Sequence, residues 1–130
     1  MELLMRKLLF LLSFCIGYTF MVSAHAGQSI YYTAKITNND RYSSKGTRLK
    51  SVESILRQDR ANVHKFGLAD RGDQRDNYFY SSRNRNAFNR AKIFVANRTL
   101  ANQIVNSRKA VWVTVAYHPD RNIIEVHQPG

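Results

Sequence analysis

Over residues 28–37 apolar and polar side chains alternate, with Ile30, Tyr32, Ala34 and Ile36 on one side and Tyr31, Thr33, Lys35 and Thr37 on the other. A period of two is the mark of a strand with one buried face. Residues 38–46 lose that alternation and collect Asn, Asp, Ser and Gly, which favour turns. The period then changes. Val52, Ile55, Leu56, Val63 and Phe66 follow a spacing of three and four, with Ser51 placed to cap, Glu53 and Arg57 paired four apart, and Gly67 as the stop. This predicts a helix from Ser51 to Gly67. A charged stretch containing Gly72 reads as a surface loop, and Tyr78-Phe79-Tyr80 as a short second strand.

From Ser82 the helical period returns, with Ala87, Phe88, Ala91, Phe94 and Val95 on one stripe. Thr99 is a candidate cap for a further piece carrying Leu100, Ile104 and Val105, so this region predicts two helices or one kinked helix. The end of the chain alternates again. Val111, Val113, Val115 and Tyr117 interleave with Trp112, Thr114, Ala116 and His118; Pro119-Asp120-Arg121-Asn122 supplies a turn, and 123–127 returns as a partner strand. The hairpin register sets His118 opposite Ile123, Tyr117 opposite Ile124 and Ala116 opposite Glu125. Together the elements predict an α+β domain: a small curved antiparallel sheet with a C-terminal hairpin and two or three helices, or alternatively a partly closed small barrel.

Residues 1–26 carry a different pattern. Arg6 and Lys7 precede an apolar run over 8–22, and Ala24-His25-Ala26 follows as a small-x-small cleavage signal. This is the layout of a secretory signal peptide, and the run, interrupted by Ser13, Gly17 and Thr19, falls short of the roughly 20 residues that span a bilayer. Cleavage after Ala24 competes with cleavage after Ala26. Phe14 is too bulky before Cys15 for a lipid-attachment signal. The expectation is a single domain at 27–130, periplasmic or secreted and most consistent with a bacterial source, and it contains no cysteine.

Charge alters the picture further. The chain has 20 Lys and Arg against 9 Asp and Glu, and removal of 1–26 leaves a domain of net charge +10. Affinity for polyanions follows from that excess. Arg83, Arg85, Arg90 and Arg98 alternate with asparagines, and Arg57, Arg60, His64 and Lys65 group on one side of the first helix. Arg and Asn together suit phosphate, sulfate or acidic sugar. The outward hairpin face adds Trp112 and Thr114 beside His118, Glu125 and His127, an aromatic plate with polar neighbours that suits a sugar or a base.

These residues define the functional expectation: an exported basic module that engages a glycan, a lipopolysaccharide, a nucleic acid or an acidic protein partner. The ligand-contacting candidates are Trp112, Thr114, Arg83, Arg85, Arg90, Arg98, Arg57 and Arg60. A metal-independent ribonuclease or toxin is the alternative, with His127 and Glu125 moving protons and His118 and His64 as further candidates. A third reading is an adaptor or inhibitor subunit of an envelope complex. Three histidines without metal-ligand spacing predict no metal site, and the absence of a Gly-rich phosphate loop, a nucleophile elbow or a zinc helix predicts no cofactor.

Overall fold

A computed structural model describes residues 27–130; the predicted signal segment, with Cys15, lies outside the described residues. The chain forms β1 (Ile30–Ile36), α1 (Val52–Ala61) continuing into a π-helical turn (Asn62–Phe66), α2 (Ser82–Arg85), α3 (Ala87–Arg90), β2 (Lys92–Val95), α4 (Arg98–Asn106), β3 (Val111–His118) and β4 (Ile123–His127). The strands lie in the order β1-β3-β4-β2. This is an α+β domain with a small curved sheet.

Three expectations about the strands are corrected. The sheet is mixed, because β2 runs parallel to β4 while the other pairs are antiparallel, and it stays open rather than closing into a barrel. Residues 92–95 form a strand although their apolar spacing continues the helical stripe, since pairing with β4 decides the conformation of so short a segment. Tyr78-Phe79-Tyr80 is a turn, because Asp76 Oδ1 accepts from the backbone N–H of Tyr78 and of Phe79 at 2.9 and 2.5 Å and so takes donors that strand pairing would need. That anchor drops Phe79 into the core, where its ring meets Phe88 at 4.7 Å and Tyr117 at 5.8 Å between centroids.

The hairpin has the predicted register. Ser51 Oγ accepts from the Ser54 N–H at 3.2 Å, and Gly67 ends the helical segment at φ +63°, a conformation that glycine takes without steric cost. The second helical cap is Asn97, whose side chain accepts from the Leu100 N–H at 2.8 Å, and not Thr99. The π turn also changes which residues face inward. Val63 is buried, but Phe66, expected on the same stripe, is 40% exposed, because the wider turn shifts the register after Asn62.

The helices of the described residues lie on one side of the sheet. Tyr32, Ala34 and Ile36 of β1, Val113 and Val115 of β3, and Ile124 and Val126 of β4 pack there against Ile55, Leu56, Phe88, Leu100 and Ile104. β1 is an edge strand, yet its outer rim is occupied. The N–H of Thr33 donates to Gln74 Oε1, that of Lys35 to Asp73 Oδ1 and that of Thr37 to Asp40 Oδ2, while Gln74 donates back to the Thr33 carbonyl. The 70–76 loop therefore blocks the edge against a further strand.

Beneath this layer lies a buried ionic network. Arg60 is fully buried, with its guanidinium 3.9 Å over the Tyr32 ring. Nε donates to Asp59 at 2.7 Å, and Nη1 donates to Asp76 at 2.9 Å and to the Gln74 carbonyl at 2.8 Å. Burial outweighs the neighbouring guanidinium and pushes Asp59 up to about 8. Asp76 is also pressed upward by burial, but hydrogen bonds from His64, the Phe79 N–H, Arg60 and the Tyr78 N–H overcome this and hold it below the usual carboxylate range. Both carboxylates pair with Arg60, Asp59 through Nε and Asp76 through Nη1. A second buried arginine, Arg41, donates to the carbonyls of Ile104, Gln103 and Lys109 and so satisfies the C-terminal end of α4.

Removing Arg60 strands Asp76 and Asp59 away from water. Arg60→Ala is expected to cost about 3–5 kcal/mol of unfolding free energy, measured by urea denaturation at pH 7. A loss within about 1 kcal/mol would show that the network does not hold the fold.

Candidate functional site

The face of the sheet opposite the helices is open. It carries Tyr31, Thr33 and Lys35 from β1, Trp112, Thr114, Ala116 and His118 from β3, Ile123, Glu125 and His127 from β4, and Lys92 and Phe94 from β2. Strand pairing arranges these in rows. Tyr31, Ala116, Glu125 and Phe94 form one row across all four strands; Thr33, Thr114 and His127 form the next; Lys35 and Trp112 form the third. Tyr31 is 64% exposed, Phe94 45% and Trp112 41%, so three rings stand in solvent on one surface. At roughly 4.8 Å per strand, Tyr31 and Phe94 sit about 14 Å apart with small Ala116 leaving a trough between them.

Two of these rings carry a cation. Lys35 Nζ lies 5.8 Å from the Trp112 ring centroid, and Lys92 Nζ lies 4.9 Å from that of Phe94. Glu125 is the single carboxylate of the face, and it is engaged. His118 Nε2 and Glu125 Oε2 are 3.2 Å apart, and His118 Nδ1 meets Ser29 Oγ at 2.7 Å. The His118 ring is nearly buried, with the edge of Tyr31 against it at 6.1 Å. Both imidazole nitrogens are occupied, so His118 holds Glu125 and Ser29 in place rather than presenting itself to a ligand.

The candidate residues separate into groups. Trp112, Thr114, Glu125, His118 and His127 come together on the open face, with His127 exposed opposite Thr114 and about 7 Å along β4 from Glu125. His64 is far from that group in role: its Nε2 bonds Asp76 Oδ2 at 2.8 Å inside the ionic network. Arg60 is buried in the same network and is not a surface contact. Arg57 and Arg85 line one groove among the helices, and Arg85 is nearly buried there. Arg83, Arg90 and Arg98 are exposed on α2, α3 and α4, respectively. Among the described residues no group of three or more His, Cys, Asp or Glu is placed to hold a metal ion, and no helix is long and apolar enough to cross a membrane.

Sequence reasoning missed Lys92, Phe94 and Ser29 as members of this surface. Tyr31 and Lys35 were legible on the polar side of β1, whereas Lys92 and Phe94 were hidden by the helical reading of 82–95. Nothing near Ser29 in the sequence points to His118, 89 positions away.

The 70–76 loop also supports Trp112. Gly72 has φ +96°, and a Cβ there would overlap the Trp112 ring. Because Trp112 is the one tryptophan of the chain, tryptophan fluorescence reports the surroundings of this ring. Gly72→Ala is expected to shift the emission maximum to longer wavelength as the ring is pushed into water, with a loss of about 1–3 kcal/mol in stability. An unchanged spectrum would place the ring elsewhere.

No protein-family model matches the chain, and no curated protein or solved structure matches it significantly.

Proposed function

We propose that the protein is an exported binding module that holds a single-stranded nucleic acid across the open face of its sheet. The observation that carries this reading is the pairing of exposed rings with lysines, Trp112 with Lys35 and Phe94 with Lys92, beside a third exposed ring, Tyr31. Bases stack on aromatic faces whatever their sequence, and a base that takes a ring face displaces the lysine now lying over that ring toward the phosphates on either side. The excess of positive charge adds long-range attraction for the backbone. Of the anionic polymers this charge would attract, a nucleic acid fits best because each repeat offers both a flat ring and a phosphate.

Export is part of the proposal and rests on the pattern of residues 1–26. The arginines exposed on the helices, Arg83, Arg90 and Arg98, extend the positive field but carry no reading of their own.

The test is a titration of the 27–130 protein with a labelled single-stranded oligonucleotide. With three or four phosphates neutralised, raising salt from 50 to 200 mM is expected to weaken binding roughly 20- to 50-fold. Trp112→Ala and Phe94→Ala are each expected to cost about 1–3 kcal/mol of binding. Binding indifferent to salt and to both rings would refute the proposal, and so would a preference for an acidic glycan over the oligonucleotide. Cleavage of an RNA oligonucleotide that disappears in His127→Ala would replace it with the ribonuclease reading, in which Glu125 and His127 transfer the protons.

A further inference from the structure

On the helical side, away from the open face, two recesses join into one groove. The first, of about 290 Å³, is walled by α1, α2, α3 and the 43–49 loop and holds Arg57, Lys65 and Arg85 with the hydroxyls of Ser43, Ser54 and Ser82. The second, of about 490 Å³, shares Ser43, Ser44, Gln58 and Phe66 with the first and adds Tyr42 and Leu68. Tyr42, Phe66 and Leu68 are 44%, 40% and 53% exposed, a concentration of solvated apolar surface at one place. No carboxylate lines either recess.

The cations at the first recess are held without a counter-charge. Arg85 donates from Nη1 to the carbonyls of Phe79 and Tyr80 at 2.9 and 3.0 Å, which fixes its fork. Arg57 donates to Asn86 Oδ1 at 2.9 Å. Neither arginine forms a salt bridge among the described residues. Burial and the Arg57 charge both weigh against the Arg85 cation, and an anion between them would relieve both effects. Two guanidiniums oriented by neutral acceptors, with hydroxyls around them, form a receptor for a tetrahedral oxyanion. The π turn supplies the other half, because it is what turns Phe66 out of the core and onto the groove.

We infer that this groove binds a small phosphomonoester that carries a flat aromatic ring, with the phosphate between Arg57 and Arg85 and the ring against Phe66 and Tyr42. The inference is independent of the open sheet face.

Calorimetric titrations of the 27–130 protein with adenosine monophosphate, inorganic phosphate, adenosine and phosphatidic acid vesicles test it. Adenosine monophosphate is expected to bind at least tenfold tighter than inorganic phosphate or adenosine. Arg57→Gln is expected to weaken it at least tenfold, Phe66→Ala to weaken it while leaving phosphate unchanged, and Trp112→Ala to leave it unchanged. Arg57 is the chosen arginine because Arg85 also supports the Phe79 turn. The inference is overturned if the nucleotide binds no tighter than phosphate, if Arg57→Gln has no effect, if Trp112→Ala is the variant that weakens binding, or if only the vesicles bind.

Discussion

A guanidinium buried out of reach of water needs acceptors, and Arg60 finds them for Nε and Nη1, with Nη2 left unbonded, in groups drawn from separate parts of the chain. Asp59 comes from its own helix, Asp76 and the Gln74 carbonyl from the 70–76 loop, and the Tyr32 ring from the first strand. Movement of either carboxylate leaves buried charge without that partner in a medium of low dielectric, and movement of the carbonyl leaves a buried donor unbonded. The network therefore fixes the helix, the loop and the strand relative to one another. Its reach extends to Phe79, because the Asp76 carboxylate that balances Arg60 also seats the turn carrying that ring.

The open face follows from this arrangement. With α1 and the short helices committed to one side of the sheet, no helix among the described residues covers the other side. The loop that answers Arg60 also caps the rim of β1 and passes Gly72 beneath Trp112. One loop thus ties the buried charge, the protected edge and the ring on the open face together. The four-residue length of β2 and its exposed Lys92 limit further strand addition at the opposite edge.

The parts of the fold that were legible in the sequence are those governed by local periodicity. β1, the start and stop of the first helix, and the hairpin with its register all depend on neighbours a few positions apart. The rest depends on partners far away in the chain. Residues 92–95 read as helix because Ala91, Phe94 and Val95 continue a spacing of three and four, and only a parallel strand 31 residues later makes them β. Arginines are expected at the surface, so the burial of Arg41, Arg60 and Arg85 could not be read from their positions. The density of unlike polar groups over 57–65 was visible, but its meaning as an internal network, with His64 inside it, was not. Of the candidate site, Trp112, Thr114, Glu125 and His127 were placed on one face by alternation alone, whereas the His118–Ser29 contact and the lysine–ring pairs needed the assembled sheet.

The two sides of the sheet differ in construction, one packed against helices around a buried charge network and one carrying exposed rings and lysines. The most direct measurement is a residue-by-residue map of amide chemical-shift changes as isotope-labelled 27–130 protein is titrated with a single-stranded oligonucleotide. The account predicts changes concentrated at Tyr31, Lys35, Phe94, Trp112, Thr114 and His127, with the Arg60 network unmoved. Changes confined to the helical side, with the open face silent, would contradict it.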